Sequence, residues 1–211
     1  MKKSSSEPSL FNFHRTMNRD IDLLMKIETA RSVVKSLEAK RSIFDAFVFH
    51  ICAKWEILVE DLLLDCLNKD TSRYAEYTGF NLPKHISRET CKAIIIGLQY
   101  FDFKSVGDLK KMSNQMLTPL CNPFAKITSA QAKKIDEFFT IRNYLAHRSY
   151  KARRSLLKVY QDTYGMRNFV EPGTFLLARE KGAQIPRMGA YINNFKDTAN
   201  MMGKFLGVPW I

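Results

Sequence analysis

The chain has 211 residues, 45% of them hydrophobic and 26% charged, the balance of an ordinary globular protein rather than a disordered or fibrous one. Lysine and arginine outnumber aspartate and glutamate 33 to 21, for a formal net charge of +12, which favours a polyanionic partner such as RNA, DNA or an acidic protein without choosing among them. The most apolar windows, 44–64 and 93–98, are interrupted by charge or too short to cross a bilayer, and no apolar leader follows the basic, serine-rich start, so a cytoplasmic protein with no membrane attachment is expected.

Residues 1–13 read as a disordered lead, and 14–211 as a single helical domain. With few glycines and prolines, long helices are expected. The first runs from about Thr16 to Leu37, its stripe made of Ile21, Leu24, Met25, Ala30, Val33, Val34 and Leu37. A second, about Ser42 to Asn68, buries Phe47, Val48, Ile51, Trp55, Leu58, Val59 and Leu62 and turns His50, Lys54, Asp61 and Asp65 to solvent. Glu56 lies on the flank of its apolar stripe and is expected to be buried or half-buried. Tyr77 to His85 holds Gly79 and Pro83 and reads as a loop. Ser87 caps a short helix to Leu98, the aromatic run Tyr100 to Phe103 packs under the bundle, and Ser105 to Leu117 forms another short helix. After a turn at Asn122-Pro123, Ser129 caps a long helix that should reach Tyr164 and stop at Gly165. The texture changes over 168–186, where Pro172-Gly173, Gly182 and Pro186 surround a short apolar run and suggest a small β or irregular excursion. Arg187 to Leu206 returns to helix. The expectation is an all-α bundle of six or seven helices.

Cys52, Cys66, Cys91 and Cys121 form no closely spaced pair, so buried free thiols are expected rather than disulfides or a metal site. No glycine-rich phosphate loop, histidine pair of metalloprotease spacing or serine-nucleophile motif is present. His14, His50 and His85 are isolated and read as structural or surface residues. Neither metal nor cofactor is expected.

One stretch carries chemistry. Within Ile135 to Lys158, the apolar residues Ile135, Phe138, Phe139, Leu145 and Ala146 recur at helical spacing. Arg142 stands on that stripe where an aliphatic side chain belongs, and a charge there requires a partner. Asn143 and His147, four residues apart, stack on an adjacent face, so arginine, amide and imidazole share an arc of roughly 140°. Arg148, Lys151, Arg153, Arg154 and Lys158 follow directly, with Tyr150 among them. Such runs are commonly the solvated face of a long helix; here their position after the motif reads as a strip that tracks RNA phosphates.

Arg142-Asn143-x-x-x-His147 resembles the R-N-x-x-x-H signature of the HEPN superfamily (higher eukaryotes and prokaryotes nucleotide-binding) over about residues 16–160, with the preceding Phe138-Phe139 and an earlier helix bearing Trp55-Glu56 adding to the likeness. That resemblance implies a HEPN-like helical bundle, usually dimeric, and for many members a metal-independent endoribonuclease in toxin–antitoxin or phage-defence systems. It implies RNA as substrate, a homodimer with a composite Arg/His site, a neutralising partner protein, and products with 2′,3′-cyclic phosphate and 5′-hydroxyl ends. Histidine can move protons in either direction near neutral pH, and a guanidinium fork suits phosphate oxygens. His147 is therefore assigned the acid/base role, Arg142 the phosphate, and Asn143 the orientation of His147 or a bond to phosphate. Glu56 is the expected partner of Arg142. The alternative is a non-catalytic HEPN-like module that binds RNA, a nucleotide or another protein.

Overall fold

A computed structural model of the protein describes residues 4–29, 36–97 and 105–208. Among these residues the chain is all-α, with nine α-helices, one 3-10 turn at Phe124–Lys126 and no strands. The helices are α1 (Glu7–Thr29), α2 (Leu37–Lys69), α3 (Ser72–Thr78), α4 (Arg88–Gly97), α5 (Val106–Met116), α6 (Ser129–His147), α7 (Tyr150–Tyr164), α8 (Pro172–Leu177) and α9 (Arg187–Phe205). The expected aromatic packing of Tyr100 to Phe103 and the first helix's extension through Ala30, Val33 and Val34 lie outside the described residues.

The start of the chain differs from expectation. Helix α1 begins at Glu7, not near Thr16, and buries Leu10 and Phe13 completely or nearly so. These two extend the stripe of Met17, Leu24 and Ile27 backwards at three- and four-residue intervals, a continuation that the serine-rich lead obscures. Ser4 is also tied down, its backbone N–H donating to Asn68 Oδ1 at 2.9 Å.

The described residues fall into two compact units. The first comprises the described residues of Met1–His14, Trp55–Ala132 and Asp197–Ile211. Its core gathers Phe13, Trp55, Leu58, Leu62, Leu109, Phe124 and Met202, with the Phe13 and Trp55 rings edge to face at 6.0 Å. Asp65, expected to face solvent, is fully buried here and ion-paired to Arg88, which also holds Asp61. A charge enclosed in this way persists because its partner is delivered by α4. Asn68 Nδ2 donates to Ile86 O at 2.7 Å and Thr71 Oγ1 to Pro83 O at 2.6 Å, fixing the loop between α3 and α4. The cap expected at Ser87 is present, and Ser105 also caps its helix, each hydroxyl accepting the N–H three residues on.

The second unit comprises Arg15–Lys54 and Lys133–Lys196. Phe44, Val48, Ile135, Phe138, Tyr160, Phe175, Tyr191 and Phe195 form its core, Phe138 lying 5.1 Å from the Tyr191 ring and 5.4 Å from that of Phe195. The excursion expected near 168–186 is not β: Pro172 opens the short helix α8 instead, a position where its missing N–H costs nothing. Gly173 on α8 is buried against α2, where an added Cβ would come 2.4 Å from Arg41 O, so only glycine permits this approach.

The long helix expected to reach Tyr164 is interrupted. Helix α6 starts from a capping box one residue earlier than expected, Thr128 Oγ1 accepting from Gln131 N while Gln131 Oε1 accepts from Thr128 N. It ends at His147. Arg148 takes a left-handed backbone (φ 47), Ser149 caps the N-terminus of α7 by accepting from Ala152 N at 3.2 Å, and α7 then runs to its left-handed stop at Gly165. The serine cap makes the new start favourable; the arginine has neither the flexibility of glycine nor the lock of proline to announce it.

Candidate functional site

The motif lies on the last turns of α6. Ile135, Phe138, Phe139, Ile141, Tyr144 and Leu145 are buried and anchor the helix, whereas Ala146, expected on that stripe, is exposed. Arg142 is half-buried, and Asn143 and His147 are exposed. Arg142 Nη1 donates to Asn143 Oδ1 at 3.3 Å. The amide oxygen of Asn143 thus faces the guanidinium, which leaves its NH2 for His147 or for phosphate. No side chain among the described residues bonds the His147 ring. Glu56, the expected partner of Arg142, is half-buried on α2 in the first unit.

The turn after His147 is held by Arg148 together with Glu171 and Tyr144, two side chains that the sequence did not single out. Arg148 Nη1 donates to Glu171 Oε2 at 2.7 Å, its guanidinium lies 5.2 Å from the Tyr144 ring centre, and Tyr144 OH donates to Glu171 Oε1 at 3.2 Å. A non-glycine residue in the left-handed region costs about 1 kcal/mol, and these bonds offset it. Below the clamp, burial pushes the Asp45 carboxyl above its ordinary pKa, Arg148 pulls it back in part and Glu171 adds to the rise. Burial also pushes the Tyr160 phenol upward, and its hydroxyl has no hydrogen-bond partner among the described residues.

The basic run divides in two. Lys151, Arg154 and Lys158 are exposed on α7, and their three- and seven-residue spacing puts them within roughly 60° of one another. They have no ion-pair partner among the described residues. Arg153 instead stacks 4.3 Å from the Phe169 ring centre, and Arg148 is engaged by Glu171, so two of the five expected phosphate contacts also serve the protein itself.

Deeper in the same unit, α6 carries a buried polar network. Glu137 is 4% exposed and accepts from Thr163 Oγ1 at 2.7 Å and Tyr191 OH at 3.2 Å. Lys134 Nζ lies 3.7 Å from it and donates to Tyr164 OH at 3.0 Å, which sits 2.8 Å from Tyr191 OH. Burial, with the neighbouring Tyr164 and Glu137, raises the Tyr191 phenol well above its ordinary pKa.

Among the described residues no three His, Cys, Asp or Glu side chains gather as metal ligands, and no helix is long and apolar enough to cross a membrane. Among the described residues Cys52, Cys66, Cys91 and Cys121 form no disulfide, and the first three are buried as expected. The class these observations define is an all-α protein with a half-buried arginine and an exposed amide and imidazole beside a basic helix face. The chain matches no protein-family model, no curated protein and no solved structure.

Proposed function

We propose that the protein is a metal-independent endoribonuclease of the R-N-x-x-x-H kind, a toxin or phage-defence effector that acts as a dimer and is held in check by a neutralising partner. The observation that carries this reading is the end of α6: Arg142 anchored at half burial, His147 exposed on the last residue, and Lys151, Arg154 and Lys158 lining the next helix. An imidazole open to solvent can accept the proton of an RNA 2′-hydroxyl as its oxygen attacks the adjacent phosphorus. Arg142 would neutralise the crowded phosphoryl oxygens, and Asn143, already bonded to that guanidinium, would fix its rotamer or use its NH2 on phosphate. Protonation of the departing 5′-oxygen needs a second imidazole, which His147 of a second copy would supply. Glu56 remains the proposed partner of Arg142.

A second reading has its own support: among the described residues no side chain bonds His147 to hold a tautomer, and such a surface serves equally for a module that binds RNA without cutting it. Incubating purified protein with RNA in excess EDTA separates the two. The nuclease reading expects cleavage to persist, with 2′,3′-cyclic phosphate and 5′-hydroxyl ends. Intact RNA that is nonetheless retained by the protein supports the binding module.

A further inference from the structure

The tyrosines of the second unit are placed in two ways. Tyr144, Tyr160, Tyr164 and Tyr191 lie against other rings, and the hydroxyls of Tyr144, Tyr164 and Tyr191 are hydrogen-bonded. Tyr150 is 80% exposed, more than any other phenylalanine, tyrosine or tryptophan among the described residues, and its side chain meets no ring, cation or hydrogen-bond partner there. A single exposed apolar side chain needs no explanation by itself. Here the neighbours supply one. Ser149 caps α7, accepting from Ala152 N at 3.2 Å, and so fixes Tyr150 as the first residue of the helix. Arg154 stands four residues on, about one turn further along the same face, and with Lys158 and Lys151 the four side chains share an arc of roughly 100°. His147 closes α6 only three residues before, so chain length holds its Cα within about 11 Å of that of Tyr150.

We propose that Tyr150 is a base-stacking platform and that the site takes RNA in single-stranded form. This inference rests on the RNA reading of the α6 end and names its substrate class. Duplex RNA stacks its bases on one another, and proteins meet it chiefly through its phosphates and 2′-hydroxyls. A single strand has bases that can turn outward, and an aromatic ring among cations grips such a strand by base and phosphate together. Lys151, Arg154 and Lys158 take the phosphates, while the Tyr150 ring takes the base beside the phosphate at His147. Every base has a flat face, so a platform of this kind discriminates strand state more than sequence. The ring supports nothing in the core, and its removal leaves the fold intact.

The test measures binding rather than cleavage, using the full chain in EDTA and a fluorescent 2′-O-methyl oligouridylate, which lacks the free 2′-hydroxyl that cutting requires. The comparison probe is the same strand annealed to its complement. Tyr150→Ala should weaken single-strand binding by about 5- to 100-fold, Tyr150→Leu by nearly as much, and Tyr150→Phe hardly at all. Duplex binding and the salt dependence of affinity should stay as in wild type, because no charge is lost. The proposal is overturned if Tyr150→Ala holds the single strand as tightly as wild type, if single strand and duplex lose affinity equally, or if Tyr150→Phe falls as far as Tyr150→Ala. Wild-type protein that binds neither probe overturns the RNA reading and this inference together, whereas RNA binding indifferent to Tyr150 removes this inference alone.

Discussion

Helix α6 carries two polar regions of opposite character. Around the buried Glu137 and Tyr191 the side chains are mutually bonded: carboxylate, two phenols, a threonine hydroxyl and an ammonium satisfy one another. At the other end Asn143 and His147 are exposed, and a strained arginine follows them. Buried polar groups with complete partners hold a fold in register. Exposed groups on a rigid, well-anchored helix can engage a solute without dismantling anything. On the proposed function the first region belongs to stability and the second to function, and substitutions should separate along that line.

The largest effect is expected at Arg142. Its replacement by alanine should lower the kcat/KM of RNA cleavage by about 10²–10³-fold, the loss typical of one transition-state donor; an unchanged rate would move Arg142 to the structural side. Next comes Glu137→Leu, which leaves Tyr191, Thr163 and Lys134 without their acceptor. Urea unfolding should show a loss of about 2–4 kcal/mol, with cleavage per folded molecule unaltered. Replacing Lys151, Arg154 and Lys158 together by alanine should weaken RNA binding across sequences and flatten the log–log salt dependence by about 2 units, as expected for three phosphate contacts on a single strand. The same slope in the triple variant would make this face an ordinary solvated one.

The smallest effect concerns pH. The folded-state pKa of Asp45 lies above its ordinary value of 3.8, chiefly through burial. Its contribution to stability is then fully present below that value and is lost as pH rises through the raised one, because ionisation inside the fold is disfavoured. Asp45→Asn should flatten the fall in stability over that interval and leave the variant more stable than the parent at neutral pH. Unfolding curves across the acid range provide the check; parallel curves would contradict it.

Helix content was legible because apolar spacing and caps agree along most of the chain, as at Ser87, Ser105 and Gly165. The errors came where tertiary contacts override local pattern. Arg148 breaks a helix without glycine or proline because Glu171 and Tyr144, distant or on the preceding turn, hold it. Asp65 reads as a surface residue until Arg88 is seen beside it. The buried Asp20, 3.0 Å from His50 Nε2, could have been found, since it interrupts the α1 stripe in the same manner that Arg142 interrupts that of α6. The Glu137 network gives no such signal: glutamate is common on helices, and only folding brings Thr163 and Tyr191 to it.

The central claim is that the α6 end performs chemistry and does not merely support the fold. It is tested most directly by comparing wild type with His147→Ala in EDTA, measuring RNA cleavage and unfolding free energy on the same preparations. The account predicts a drop in cleavage of about 10²–10⁴-fold and a stability change within about 0.5 kcal/mol, as befits an exposed side chain. Equal cleavage by both proteins, or a loss of activity fully matched by a loss of folded protein, would contradict it.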